Sequence, residues 1–567
     1  MKTAHPDQPE RYLLPRSLLL LAVLSLHSSL NAQLASDPAQ QQLRQERLKA
    51  DEERRFRPTP QVSAPAQEPS PLSRAPSTGP KFPIDTITIE NLTVLQTKAL
   101  SPILTKYQGT EMGLADIDRL INELTNFLIE KGYITTRVYI PPQNIATTRT
   151  LRLVVVEGKI EEIVLNQNRW PDRLKAFMAL PLHKNQILHL RHLEQGIDQL
   201  NRVPSAQAQV KLEPGSKPGY SIINITNRPR KAYRFGVGYD NHGQSITGRN
   251  RIRLSTEFDN ALNLNETFSI FYLGSQNTNA LGASFSAPFR WWTLQSSAAY
   301  SEYLVGITPG VELFGSSFQI TGGIQRMLYR DSRQKLSLGL DLEVKESARV
   351  INDIILLPQP LTALKLSAMH SYRFDKAQLT SDLTFSQGLP ILGAKNDPSS
   401  LSWKDPHREF TKFEIGISNL LTIQPWLSWR ALIRAQYSLH GLYGSEQLFL
   451  ADITSVRGFS SATAIGDDGI YARNELTFSP PPLTKIKTLD WLLTKFSPYL
   501  FLDSGYASLK TQDSGTRLTS GGAGIRFQWE YLQADVAYAH ALDWDRKKQK
   551  LSRNHEVYFS MGMNLKF

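Results

Sequence analysis

The sequence predicts α+β structure followed by all-β structure: two small α/β units, then a 16-stranded antiparallel transmembrane β-barrel, with a plug helix near the N-terminus. Three observations carry this. Hydrophobic residues are 41% and charged residues 20% of 567, with mean hydropathy -0.31, which excludes both a bundle of apolar helices and a wholly disordered chain. A barrel escapes such averages because only alternate residues face lipid. From Lys231 onward the apolar pattern has period two, and an even number of candidate strands follows.

Composition narrows the function classes. The chain has no Cys, which removes a thiol nucleophile, a thiolate zinc site, a disulfide framework and a lipoprotein anchor. The formal net charge is +12, shared equally between residues 1–229 and 230–567. A basic excess so evenly spread does not make a nucleic-acid arm, and no nucleic-acid partner is expected.

Residues 1–32 read as a secretory signal peptide. Arg11 and Arg16 precede the apolar run Ser17 to Leu26, and cleavage after Ala32 fits the small-residue rule. Ten apolar residues cover only about half of a bilayer core, so a membrane anchor is the poorer reading. Residues 33–57 follow as the plug helix, with its helix-forming part at Asp37 to Arg57. Asp37-Pro38 supplies an N-cap and N1 pair. Leu43, Leu48 and Phe56 make no apolar stripe, so the helix suits a wet pore better than a core. A solvated charged tail is the other reading. Residues 58–83 carry eight prolines and form an extended linker, about 3.1 Å per residue where polyproline-like.

Residues 84–157 and 158–228 form two similar βααββ units. In the first, Ile84, Ile87 and Ile89 mark a strand, and Ile117, Leu120, Ile121, Leu124 and Leu128 recur at helical spacing up to Gly132. Strands are expected at Tyr133 to Ile140 and Leu151 to Val156. In the second, a strand at Ile160 to Leu165 precedes helices near Pro171 to Leu180 and Leu190 to Asn201, then strands at Ala208 to Leu212 and Tyr220 to Asn227.

Residues 229–567 form the barrel. Tyr233, Phe235, Val237 and Tyr239 share one face against Arg234, Gly236, Gly238 and Asp240. The last segment repeats this, with Val557, Phe559, Met561, Met563, Leu565 and Phe567 opposite Tyr558, Ser560, Gly562, Asn564 and Lys566. Sixteen candidate strands begin near residues 231, 249, 267, 280, 294, 316, 335, 363, 377, 410, 427, 471, 497, 517, 531 and 555. The rest supplies short turns alternating with long loops. A soluble sandwich would also alternate, so the motifs decide.

Val456-Arg457-Gly458-Phe459 lies in a loop of about 34 residues between candidate strands eleven and twelve. The strand after it carries Arg473-Asn474-Glu475, and Phe501-Leu502-Asp503 lies in the next strand. A Gly beside Arg457 permits close approach to another backbone, and Asp503 offers the matching carboxylate for a bidentate pair. Taken alone, two unrelated lumen charges are the better reading.

Together these residues resemble the outer-membrane assembly and secretion superfamily, and in finer pattern the TpsB transporters of two-partner secretion, of the haemolysin secretion and activation type. Leu124-Thr125-Asn126, Lys131-Gly132-Tyr133-Ile134, Gln143 and Val156-Glu157-Gly158-Lys159-Ile160 resemble that family's first POTRA domain. Leu193-Glu194-Gln195, Leu200-Asn201-Arg202, Pro204, Pro214-Gly215 and Pro218-Gly219 resemble its second. Pro141-Pro142 before Gln143, and Ala146-Thr147-Thr148-Arg149 where a Gly is usual, depart from the pattern.

The resemblance implies an outer-membrane pore with periplasmic POTRA domains that secretes a large exoprotein of haemolysin, adhesin or toxin type without nucleotide hydrolysis. It implies that Val456, Arg457, Gly458 and Phe459 are tied to Phe501 and Asp503, and that Phe567 is an assembly signal. The implied partners are the exoprotein's N-terminal secretion domain, outer-membrane lipid, periplasmic chaperones and the barrel-assembly machinery. No Walker loop, G-x-S-x-G or H-E-x-x-H is found, so no catalytic residue, metal or cofactor is expected. A barrel-assembly insertase of the same superfamily and a passive porin are the alternatives.

Overall fold

The computed structural model describes residues 38–55, 80–228, 231–459, 464–479, 493–512, 515–545, 551 and 553–567. The expected signal peptide and residues 58–79 of the expected linker lie outside the described residues. Helix α1, Pro38–Arg55, opens on a proline whose missing N–H costs nothing in a first turn.

The first α/β unit holds β1 (Phe82–Ile84), β2 (Thr86–Glu90), β3 (Thr110–Met112), helix α2 (Leu114–Glu130), β4 (Arg137–Tyr139) and β5 (Thr150–Val156). β5 is central, parallel to β2 and antiparallel to β4. The i, i+3, i+4 row of α2 buries Ile117, Leu120, Leu124 and Leu128 against Leu151, Leu153 and Val155 of the sheet. Two expectations are corrected here. The single strand expected across Ile84 to Ile89 is two, because the chain breaks at Asp85 and β1 pairs with β3 while β2 pairs with β5. The strand expected from Tyr133 begins only at Arg137, because Tyr133 to Thr136 is a turn, with Thr136 N–H donating to the Tyr133 carbonyl.

The second unit repeats the pattern with β6 (Lys159–Leu165), α3 (Trp170–Ala179), α4 (Leu190–Leu200), β7 (Ala208–Pro214) and β8 (Tyr220–Asn227), in sheet order β6-β8-β7. The two units share a core: Ile129 and Ile134 pack among Leu180, Leu188, Leu193 and Ile197 of the second. That shared packing is why the turn at Tyr133 replaces a strand. Gly132 has φ +99°, and a Cβ there would meet the His189 ring at 2.7 Å, so only Gly lets the two backbones close, with Leu190 N–H donating to the Gly132 carbonyl.

Sixteen antiparallel strands close the barrel. In order they are β9 (Tyr233–Asp240), β10 (Arg251–Asp259), β11 (Thr267–Ser275), β12 (Thr278–Phe289), β13 (Trp292–Thr308), β14 (Val311–Arg330) and β15 (Gln334–Ile351). A two-residue strand, β16 (Ile354–Ile355), folds back on β15, and β17 (Gln359–Arg373), β18 (Ala377–Gly388), β19 (Thr411–Gln424) and β20 (Leu427–Ser438) follow. After the long loop come β23 (Asp468–Phe478), β24 (Phe496–Ser508), β25 (Thr516–Trp529), β26 (Leu532–Trp544) and β27 (His555–Lys566). β27 pairs with β9 to complete the circle. Tyr233, Phe235, Val237 and Tyr239 are exposed on the outside, as are Val557, Met561, Met563 and Phe567. Closure satisfies the backbone in a solvent that offers no hydrogen bonds.

The loop between β20 and β23 runs over residues 439–467, shorter than expected because β23 starts at Asp468, and it contains the small hairpin β21 (Leu448–Leu450) with β22 (Ala464–Gly466). The second α/β unit seats on the end of the barrel that holds the C-terminus. Gln195 and Gln199 amides donate to the Arg290 carbonyl, Arg202 to Ser286, and Arg330 bridges to Asp198 at 2.8 Å.

Candidate functional site: the plugged lumen and its inward loop

Period two puts every second strand residue inside, and the inner face is charged. Helix α1 lies against it. Ala39 packs on Tyr303, Val305 and Leu313, and Leu43 on Leu273, Ala280 and Ala299, so the helix has a dry side that its sequence did not advertise. Its other contacts are polar. Glu46 faces Arg251 at 3.6 Å and Arg253 at 3.5 Å, while Asp240 binds the same two arginines at 2.7 and 2.8 Å. Lys49 Nζ approaches His242 Nδ1 at 3.4 Å, Gln40 reaches Ser317, and Gln244 reaches Gln41.

The loop of residues 439–467 turns inward and meets both the helix and the wall. Arg44 donates to the Gln447 carbonyl at 2.8 Å and faces Glu414 at 3.3 Å. Gln45 donates to Asp452, whose other oxygen caps Thr454 and Ser455 as an Asx turn. At the loop's start Glu446 binds Lys345 and Lys412, anchoring it to β15 and β19.

The motif residues stand where the loop touches the far wall. Arg457 Nε donates to Asp503 Oδ2 at 2.6 Å and Nη2 to Oδ1 at 2.9 Å, a bidentate fork, with its backbone N–H adding a third contact at 3.3 Å. Arg457 is 2% exposed and Asp503 0%. The guanidinium also lies over the Phe501 ring, 3.6 Å from its centroid, and 3.5 Å from Glu475. Val456 and Phe459 are buried with Leu450, Tyr471, Leu518 and Ala541. Gly458 has φ +92° and donates its N–H to the Tyr558 hydroxyl at 2.8 Å, on the strand that closes the barrel. Gly505 is bare for a different reason, since a Cβ there would stand 2.9 Å from Leu450 and 3.0 Å from Val456.

The structure brings Val456, Arg457, Gly458, Phe459, Phe501, Asp503 and Glu475 together, with Arg473 beside them donating to the Thr454 carbonyl. Asn474 does not join them. It sits opposite Leu502, whose side chain is exposed on the outer face, so the alternation that turns Arg473 and Glu475 inward turns Asn474 away. Phe567 is exposed at the rim, where its backbone exchanges both hydrogen bonds with Tyr233.

Sequence reasoning missed several members of the network. Arg526 grips Glu475 through both terminal nitrogens and Asp535 through Nε at 2.9 Å, and its guanidinium covers Tyr499. Tyr558 was legible as an inward residue by parity, but nothing local told that a glycine 100 residues earlier would use its hydroxyl. Chemically the arrangement has two parts. The loop is held by a dry, bidentate ion pair, and the helix by contacts that are mostly polar.

The family model described as haemolysin secretion/activation protein ShlB/FhaC/HecB matches residues 219–527. A POTRA domain of ShlB type matches residues 82–158 and a further POTRA domain residues 159–214. The haemolysin transporter protein ShlB of Serratia marcescens is 30% identical over 525 residues, covering 89% of this chain and 87% of that one. The outer membrane transporter CdiB of Dickeya dadantii is 27% identical over 479 residues, 82% of this chain and 84% of that one. Among solved structures, CdiB from Escherichia coli superposes with TM-score 0.81 at 23% identity, covering 93% of this chain and 99% of that one, which speaks to the fold.

Proposed function

We propose a function on the premise that this chain belongs to the haemolysin secretion/activation family of the ShlB/FhaC/HecB type. It is an outer-membrane transporter of two-partner secretion, a β-barrel with its POTRA domains in the periplasm. Its own cargo is a large exoprotein of haemolysin, adhesin or toxin type, exported unfolded and without nucleotide hydrolysis.

The observation that carries this reading is that a separate helix, and a loop pinned to one wall, lie inside the lumen and meet the wall's inward side chains. Against the wall α1 makes ion pairs with Arg251, Arg253 and Glu414 and apolar contacts only through Ala39 and Leu43, so its departure uncovers mainly polar groups that water can take over. Arg457 and Asp503 stay paired, which keeps the loop on one wall while the chain passes along the space left by the helix. The POTRA sheets have edge strands β2, β4, β6 and β7, the start of β6 being covered by residues 185–188, and an extended segment of the exoprotein pairs with an edge left open by β-augmentation. Folding outside then prevents return.

The test is translocation by the full chain in sealed proteoliposomes. An unfolded exoprotein added with its N-terminal secretion domain is expected to cross in nucleotide-free buffer. Exoprotein that crosses only when ATP is supplied, or crosses equally well without its N-terminal domain, refutes the reading.

A further inference from the structure

Helix α3 of the second POTRA domain presents a face that its own domain leaves uncovered. Trp170, Arg173 and Phe177 stand three and four residues apart and so form one row, about 10 Å long. Ala176, Ala179 and Leu180 turn the other way, into the domain core. Trp170 is 69% exposed and Phe177 53%, and Arg169 and Arg173 are exposed beside them.

The far end of this row rests on the outside of the barrel. The Arg290 backbone N–H donates to the Met178 carbonyl at 2.6 Å, Phe177 meets Phe289 edge-on at 6.1 Å, and the Arg290 guanidinium covers both rings at 5.0 and 5.6 Å. Phe289 ends the outward row of β12 that begins at Leu281 and includes Phe285, with Ala287 of the same row buried. In register beside it are Trp292 and Arg326, the arginine over the indole at 5.0 Å. An aromatic and arginine girdle thus runs from the lipid-facing wall onto α3 without a break.

We propose that Trp170, Arg173 and Phe177 form a phospholipid-binding surface that beds the second POTRA domain on the periplasmic leaflet. The rings enter the interfacial layer, which favours amphipathic aromatics, and Arg169, Arg173 and Arg290 take headgroup phosphates, which a planar guanidinium matches in pairs of hydrogen bonds. Three basic residues, Arg169, Arg173 and Lys175, against Asp172 alone on this segment suit an anionic headgroup. A second copy is the poorer occupant, since one row on a ten-residue helix falls well short of the roughly 800 Å² per partner of a stable dimer. The exported chain is served by sheet edges, and α3 is not one. Bedding this helix fixes the direction in which the open edges of the POTRA sheets face the pore.

The chain has no Cys, so one introduced cysteine carries one nitroxide label. Trp170→Cys and Phe177→Cys, each in the full chain in nanodiscs of phosphatidylethanolamine and phosphatidylglycerol, are compared with Lys211→Cys, a position on β7 whose side chain is 78% exposed. Collision with lipid-soluble oxygen should exceed collision with a water-soluble nickel chelate at 170 and 177, and the balance should reverse at 211. A balance at 170 and 177 like that at 211 overturns the proposal. Protection that arises only when the exoprotein's N-terminal domain is added assigns the row to cargo and overturns it equally. Should Phe177→Cys fail to assemble, Arg173→Cys gives the same reading from the middle of the row.

Discussion

Replacing either Arg457 or Asp503 with alanine should cut secretion sharply, and the two losses should be unequal. Among the described residues, every hydrogen bond onto Asp503 comes from Arg457, and the carboxylate is 0% exposed. Arg457→Ala therefore strands a buried anion with one backbone N–H, and breaking a buried pair in this way costs about 3–5 kcal/mol. At about 1.4 kcal/mol per tenfold, the docked loop loses roughly two to three and a half decades of its advantage over the undocked one. Asp503→Ala is milder, because Arg457 keeps Glu475 at 3.5 Å and the Phe501 ring at 3.6 Å. The double variant removes the stranded charge and should be no worse than Arg457→Ala. The assay is exoprotein released to the medium per folded barrel, with protease access to residues 439–467 in outer-membrane vesicles as the structural readout. Normal secretion by both single variants, or losses that add, would show that the pair is not a functional unit.

Deleting residues 38–55 should raise single-channel conductance in planar bilayers while the barrel still migrates as folded; unchanged conductance rules α1 out as the plug. Tyr558→Phe removes the acceptor of the buried Gly458 N–H and should cost about 1–3 kcal/mol of loop docking, seen as faster loop proteolysis with normal barrel abundance. Loss of the barrel itself would instead make Tyr558 a folding residue. Removing Phe567 should lower the amount of barrel in the outer membrane rather than secretion per molecule, and normal abundance with lost secretion contradicts its role as assembly signal. The POTRA joint should weaken in acid. His189 uses both ring nitrogens in its neutral form, one facing the Lys131 carbonyl and one accepting from Arg191 N–H, and burial pulls its pKa below the ordinary histidine range. A depressed pKa means the stabilisation is whole above about pH 6.5 and is lost as pH falls through the lower, folded value. The melting temperature of the POTRA region in the full chain should therefore drop in acid, with the drop reduced in His189→Phe; a slope identical in both refutes this.

Local alternation determined most of the barrel. Side chains of a strand point to opposite faces by covalent geometry, so rows such as Tyr233 to Tyr239 and Val557 to Phe567 declare a lipid face and a lumen face without any partner. The sixteen strands were legible on the same footing, as was the inward parity of Arg473 and Glu475, and parity alone also places Asn474 outside, whereas the helix at Pro38–Arg55 was marked by helix-forming composition, which a solvated tail shares. What lay beyond reach was set by pairing across space. The break at Asp85 follows from β1 and β2 choosing different neighbours, and the turn at Tyr133 from a core shared by two domains. Whether Arg457 and Asp503 are dry depends on a loop folded inward over 46 residues of separation, on Tyr558 arriving from the last strand, and on a glycine at 505 leaving room. Burial turns a pair worth about 0–1 kcal/mol in water into one whose loss costs several times that, and burial belongs to the assembled lumen rather than to any residue in it.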